Sequence, residues 1–220
     1  MVEISTSLLS INKNESTKKI YDLEVAHTDY FHIDVMDGTF VQNNTSDTMK
    51  EYSELIKQIS NIPIDVHLMV LDVKEYVEKY KDLEPNIITF HYEVLKSKEE
   101  INEMIKYIKQ NNIRVGISIK PDTKLEKIYE FLPYIHMVLI MTVEPGKGGQ
   151  KLIPKTIEKI AELKKYITIN NIDLDIEADG GINVENIGKL KEAGIDIAVV
   201  GTGITNTSNY KETIKTLKTL

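Results

Sequence analysis

Short runs of apolar and β-branched residues recur along the whole chain, and each is followed by a Lys/Glu-rich stretch in which apolar residues return every three or four positions. The first pattern fits buried strands and the second amphipathic helices, so the chain reads as repeated βα units. Eight such runs begin near Ile4, Tyr30, Ile64, Ile87, Arg114, Met137, Asp175 and Ile197. Helical spacing is clearest at Ile101, Ile105 and Ile108, and again at Ile157, Ile160, Ala161 and Lys164, with charges on the intervening positions. Parallel strands alternating with helices, eight of each and without a long linker, predict an α/β fold of the (β/α)8 TIM-barrel type, with residues 1–220 as one domain. An open doubly wound sheet is disfavoured because its G-x-G-x-x-G fingerprint is absent.

A barrel makes a prediction about geography, since side chains at the C-terminal ends of its strands share one mouth. Ser7, His32, Asp34, His67 and Asp179 all fall there. His32 and Asp34 are two apart and project to one side of their strand, where His67 from strand three and Asp179 from strand seven can converge on them. A single histidine in a strand is more often a hydrogen-bonded structural residue than a ligand. Two imidazoles and two carboxylates together are different, because ionisable groups gathered at a mouth without a cation would each cost several kcal/mol. The set therefore predicts one divalent metal per chain, held by His32, Asp34, His67 and Asp179. The absence of thiolates leaves Zn²⁺, Mn²⁺, Fe²⁺ and Co²⁺ chemically acceptable. His91, at the end of strand four, is a further candidate site residue that a structural hydrogen bond explains equally well. His27 and His136 read as ordinary surface residues.

A second feature is the loop Glu144-Pro145-Gly146-Lys147-Gly148-Gly149-Gln150 after strand six. Glycines let backbone N–H groups approach an anion, and Gly180-Gly181 and Gly201-Thr202-Gly203 after strands seven and eight add donors. Gly146, Lys147, Gly148, Gly149, Gly180, Gly181, Gly201 and Thr202 are accordingly expected to bind a phosphate, as barrels do near strands seven and eight. Arg114 is the only arginine, so an arginine clamp is not expected and backbone amides carry most of that task. Met36, Met69 and Met141 also fall at strand ends, where they either fill the core or form an apolar, water-excluding floor against the substrate.

Composition narrows the partners. The 220 residues carry a net charge of −7, which disfavours nucleic acid and anionic membranes as ligands. No cysteine is present, so disulfides and thiolate metal sites are excluded, in keeping with a reducing compartment. The longest apolar run, Met137 to Met141, is far too short for a membrane span, and the acidic, soon polar start lacks the features of a signal peptide. A cytoplasmic protein is expected.

The motifs Thr6-Ser7-Leu8-Leu9-Ser10, His32-Ile33-Asp34-Val35-Met36-Asp37-Gly38 and Asp65-Val66-His67-Leu68-Met69-Val70 resemble those of the ribulose-phosphate 3-epimerase family. So do Met141-Thr142-Val143-Glu144-Pro145-Gly146, Gly148-Gly149-Gln150 and Asp179-Gly180-Gly181, in the same order, and the resemblance runs from Ser7 to Ile204. It implies that Ser7 and His67 contact substrate, that His32, Asp34, His67 and Asp179 hold the metal, and that Asp34 and Asp179 are the catalytic acid/base pair. The implied reaction is metal-dependent epimerisation at C3 of a ketose phosphate, D-ribulose 5-phosphate to D-xylulose 5-phosphate, through a metal-stabilised enediolate, and the implied partners are a small-molecule sugar phosphate and further copies of the chain in a homo-oligomer. The chemistry asks for such a pair independently: a proton leaves one face of the carbon beside the ketone and another returns to the opposite face.

This chain departs from the family at Lys147, where an aromatic is usual, and at Gln42, where proline is usual. It also departs at Asp47-Thr48, near a usual Gly-Pro, and at Gly201-Thr202-Gly203-Ile204-Thr205, against Gly-Ser-Ala-Ile-Phe. These positions bear on substrate length and affinity. The segment Asp29 to Asp34 and the Gly201-Thr202-Gly203 variant also resemble epimerases of six-carbon ketose phosphates such as D-allulose 6-phosphate. A catalytically silent phosphosugar-binding paralogue is the alternative from another class, and its mark would be a broken Asp34/Asp179 pair. Relatives of orotidine-phosphate decarboxylase carry D-x-K-x-x-D at strand three, which this chain lacks. A Schiff-base aldolase would need a lysine inside a strand, and Lys120 is the only near candidate.

Overall fold

Each apolar run forms a strand within one residue of the position read from the sequence: β1 Glu3–Ser7, β2 Tyr30–Met36, β3 Ile64–Met69, β4 Ile87–His91, β5 Arg114–Ile119, β6 Met137–Met141, β7 Asp175–Asp179 and β8 Ile197–Val200. The computed structural model describes residues 1–220, and its eight strands close in sequence order into a parallel barrel, with β8 pairing back onto β1. The helices are α1 Ser16–Val25, α2 Ser46–Ile59, α3 Val73–Tyr80, α4 Lys98–Gln110, α5 Lys155–Ile169, α6 Ile187–Ala193, the one-turn α7 Thr202–Thr205, and α8 Tyr210–Thr219. None is long and apolar enough to cross a membrane.

The expected strict alternation fails at one place. Between β5 and β6 the chain makes only 3-10 turns, Leu125–Lys127 and Tyr129–Tyr134, and the second contains Pro133. A proline inside a helix removes a donor and clashes with the preceding turn, so the apolar spacing is used without an α-helix. The count returns to eight because two helices, α7 and α8, follow β8.

The main core lies between the outside of the sheet and the helices, in one cluster that joins Ile33, Val66, Ile117 and Val138 to helical residues such as Met49, Tyr52 and Ile56 of α2. On α4 the buried residues are those read from the spacing, Ile101, Ile105 and Ile108. On α5 the buried stripe is Thr156, Ile160, Leu163 and Ile167, while Ala161 is exposed and Ile157 and Lys164 only flank it. Four closely spaced apolar-compatible positions admit several helical phases, and Leu163 and Ile167 select this one by completing a stripe three turns long.

The inside of the barrel is layered. Ile87, Met137 and Ile197 close the N-terminal end as a small apolar cluster. Above it the interior is polar: Ser5, His32, Asp65, Thr89, Ser118 and Glu177 are all buried. Barrel interiors are more often filled by branched apolar residues. Gly116 makes room in this layer, since a Cβ there would stand 2.2 Å from Thr89 Oγ1. His136, read from the sequence as a surface residue, is instead half-buried and accepts a hydrogen bond on Nδ1 from the Val115 amide at 3.0 Å; His27 is exposed.

Candidate active site

Sheet register brings the ionisable residues together. On adjacent β2 and β3, Asp34 lies beside His67 and His32 beside Asp65, while Met141 on β6 lies beside Asp179 on β7. One donor atom from each of His32, Asp34, His67 and Asp179 lies within 4.8 Å of all the others. His32 Nε2 stands 3.4 Å from Asp34 Oδ1, and His67 Nδ1 stands 3.6 Å from the same oxygen and 3.7 Å from Asp179 Oδ2.

The arrangement fits a metal on a structural ground. His32 Nε2 and His67 Nδ1 are fully buried nitrogens with no hydrogen-bond partner, and both face the two carboxylates. A buried polar atom without a partner costs free energy, and a cation among these four groups removes that cost. The opposite nitrogen of His32 is already engaged: Nδ1 lies 2.5 Å from Asp65 Oδ2, which also accepts from Ser5 Oγ at 3.0 Å. That contact leaves the Nε2 lone pair free to ligate.

Protonation states follow the burial and the neighbours. Burial raises the Asp34 carboxyl, but His32 and His67 outweigh it and hold the group well below the usual carboxylate range. Asp179 moves the other way, pushed up to about 6 by burial and by the Asp34 charge. Burial lowers the His32 pKa, yet Asp65 and Asp34 beside it raise it well above the ordinary value in the absence of a cation. Beneath the site, burial and the adjacent Asp65 raise Glu177 well above the carboxylate range.

A cleft of about 620 Å³, including its open mouth, rises from this cluster. Asp34 and Asp179 stand in its wall, and Met36, Met69 and Met141 form an apolar floor. Gly146, Lys147, Gly148 and Gly149 line it together with Gly180, Gly181, Gly201 and Thr202, from the loops after the adjacent strands β6, β7 and β8. Gly181 is required in its position: its φ is +67°, and a Cβ would meet the Leu152 amide nitrogen at 2.5 Å. The glycine loop is closed by Gln150, whose side chain donates to the carbonyls of Glu144 and Lys147. It is tied to the β2–α2 loop by Asn43, which donates to the Gly146 carbonyl. Asp37 in turn holds that loop to the end of β3, accepting from the amides of Thr39, Phe40 and Leu71.

Ser7 and His67, both expected to meet substrate, also make contacts within the cluster. Ser7 lines the cleft, but its hydroxyl donates to Asp34 Oδ2 at 2.7 Å, so it orients the carboxylate at least as directly as it meets a ligand. His67 is fully buried, and its Nδ1 faces Asp34 and Asp179, a place suited to ligating a cation. Lys147 is exposed. Asp65 and Glu177 were missed as parts of the site, although their spacing carried a signal. Each is two residues before a site residue on the same strand, and such pairs face the same side.

Residues 3–205 match the family described as "Ribulose-phosphate 3 epimerase family". A ribulose-phosphate 3-epimerase of Methanocaldococcus jannaschii is 36% identical over 99% of this chain and 90% of its own length. That of Escherichia coli K12 is 33% identical over 98% of this chain and 94% of its own. Among solved structures, the 3-keto-L-gulonate-6-phosphate decarboxylase from Vibrio cholerae aligns with a TM-score of 0.74 at 11% identity, covering 99% of this chain and 95% of that one. The 3-hexulose-6-phosphate synthase from Salmonella typhimurium aligns with a TM-score of 0.67 at 13% identity, covering 98% of this chain and 96% of that one. Identities this low establish the barrel alone, and it is the family match and the full-length sequence relatives that discriminate. The chain belongs to the ribulose-phosphate 3-epimerase family.

Proposed function

We propose that this chain epimerises a ketose phosphate at C3 and interconverts D-ribulose 5-phosphate and D-xylulose 5-phosphate. One observation carries the reading: Asp34 and Asp179, from strands that are not neighbours, meet in the wall of one cleft with their carboxylate oxygens within 4.8 Å of each other. Inversion at a carbon beside a ketone needs a base on one face and an acid on the other. Ionised Asp34 takes the C3 proton, and Asp179 gives its own to the opposite face; the reverse reaction exchanges the roles. Ser7 holds Asp34 in place through its hydroxyl.

His32, Asp34, His67 and Asp179 would hold the divalent cation. When bound, it supplies positive charge beside the carbonyl and stabilises the negative charge that develops on the substrate oxygens. The three methionines keep water from the substrate carbon, which would otherwise exchange its proton with solvent. The backbone amides of the loops after β6, β7 and β8 take the phosphate and so fix which carbon faces the carboxylates.

The experiment is an assay of C3 epimerisation on D-ribulose 5-phosphate and D-allulose 6-phosphate side by side, with metal content measured on the active protein. Turnover of the five-carbon substrate, lost on chelation and regained with Zn²⁺, Mn²⁺, Fe²⁺ or Co²⁺, is expected. Preference for the six-carbon substrate would revise the substrate. Activity without any metal would overturn the assignment of His32 and His67.

A further inference from the structure

The outer nitrogen of His67 does not end at a carboxylate, as that of His32 does. It ends at another histidine. His67 Nε2 lies 3.0 Å from His91 Nε2, with the ring centroids 5.0 Å apart and the planes inclined by 28°. His91 Nδ1 lies 3.1 Å from Glu93 Oε2. The other oxygen of Glu93 accepts from the Lys120 amide at 2.8 Å and from the Thr123 hydroxyl. The row therefore starts on the loop after β5, passes through Glu93 and His91, and ends on the free Nδ1 of His67 between Asp34 and Asp179.

We infer that Glu93 and His91 are positioning residues that fix His67 in the one tautomer able to bind a cation through Nδ1. The argument runs along the hydrogen bonds. Glu93 accepts two bonds from the β5 loop, so it faces His91 as an acceptor. An ionised carboxylate beside Nδ1 requires a proton there, because the other tautomer would set a lone pair against it. With its proton on Nδ1, neutral His91 presents a lone pair at Nε2. His67 must then donate from Nε2, which leaves its Nδ1 unprotonated and directed at Asp34 and Asp179. One carboxylate thus sets two imidazoles.

The electrostatics agree at each point. Burial raises Glu93, but hydrogen bonding from His91 and from the β5 loop outweighs it and brings the group down to about 2. Burial holds His91 neutral, with its pKa lowered to about 4. Phe40, from the β2–α2 loop, covers the His91 ring at a centroid distance of 4.9 Å and keeps water from competing for these bonds.

The assignment rests on the metal reading above, and its test separates the two. In ¹⁵N-histidine-labelled wild-type protein, long-range ¹H–¹⁵N spectra should show His91 protonated on Nδ1 and His67 on Nε2. This needs no variant and no activity. Titration with Zn²⁺ should then show that Glu93→Gln binds about 10–100-fold more weakly than wild type, the usual effect of losing an outer partner of a metal histidine. At saturating Zn²⁺ the KM for the sugar phosphate should be unchanged and kcat largely restored, a split that general loosening of the fold would not produce. His91 protonated on Nε2 in the wild-type spectra, or wild-type Zn²⁺ affinity in Glu93→Gln, overturns the relay. A wild-type chain that takes up no Zn²⁺ overturns the metal reading itself, and the assignment with it.

Discussion

Asp179 shows how a single carboxylate at the site sets function against stability. Its pKa is raised to about 6 from an ordinary 3.8, so in the absence of a cation the folded chain binds this proton more tightly than the unfolded chain does. Its contribution to stability is then complete below about pH 4 and is lost as pH rises towards 6. Asp179→Asn, which carries no ionisable group, should therefore be more stable than wild type above pH 6 under chelation, by about 2–3 kcal/mol, with the difference vanishing near pH 4. Urea unfolding at the two pH values measures it, and equal stabilities at pH 7 would contradict the burial argument. The same substitution should abolish epimerisation, as should Asp34→Asn, because an amide cannot exchange the proton. The loss is expected to be at least about 10²–10⁴-fold in kcat at saturating substrate and metal.

Among elements, the segment between β5 and β6 carries more than its irregular backbone suggests. It has no α-helix to anchor it, and its first residues hold Glu93 through the Lys120 amide and the Thr123 hydroxyl. α5 supplies the anchor instead. Lys159 on α5 reaches across and donates to the carbonyls of Lys120, Pro121 and Thr123, at 3.1, 2.6 and 2.7 Å. Burial lowers its pKa, but the three carbonyls still take charge-assisted bonds from the ammonium. Lys159→Met keeps most of the apolar stem and deletes the donors, so it should cost about 1–3 kcal/mol of stability. A denaturant midpoint unchanged by this substitution would show that solvent replaces the three bonds without penalty.

At the scale of the whole molecule, the chain carries a net charge of −7, whereas the proposed substrate is a dianion, and its one arginine, Arg114, stands at the N-terminal start of β5, away from the mouth. Lys147 is the cation in the glycine loop, and it is exposed rather than folded onto the backbone. A solvated ammonium interacts with a bound phosphate as a surface ion pair, worth at most about 1 kcal/mol and screened over roughly 10 Å at 0.1 M salt. Lys147→Met should thus raise KM by no more than about fivefold at low ionic strength, with kcat unaltered and the difference closing as salt is added. A KM that is the same in both proteins at low salt would leave the phosphate to the backbone amides alone.

The alternation of apolar runs with amphipathic stretches was enough, by itself, to place eight strands within a residue of their observed starts. Strand periodicity and burial are local properties, written in neighbouring residues. The same period also put His32 and Asp34 on one side of β2. The helix-less stretch after β5 and the phase of α5 were less legible, because Pro133 and the choice between Ile157 and Leu163 act through what each segment packs against. Register was not legible at all. Nothing within one strand says that Asp34 pairs with His67 or His32 with Asp65, since that follows from how far each strand slides past the next when the barrel closes. The outer partners of the site depend on that closure too. His91 and Glu93 are a strand and a loop away from His67, and only packing in three dimensions makes His91, whose sequence context leaves its role open, the neighbour of His67.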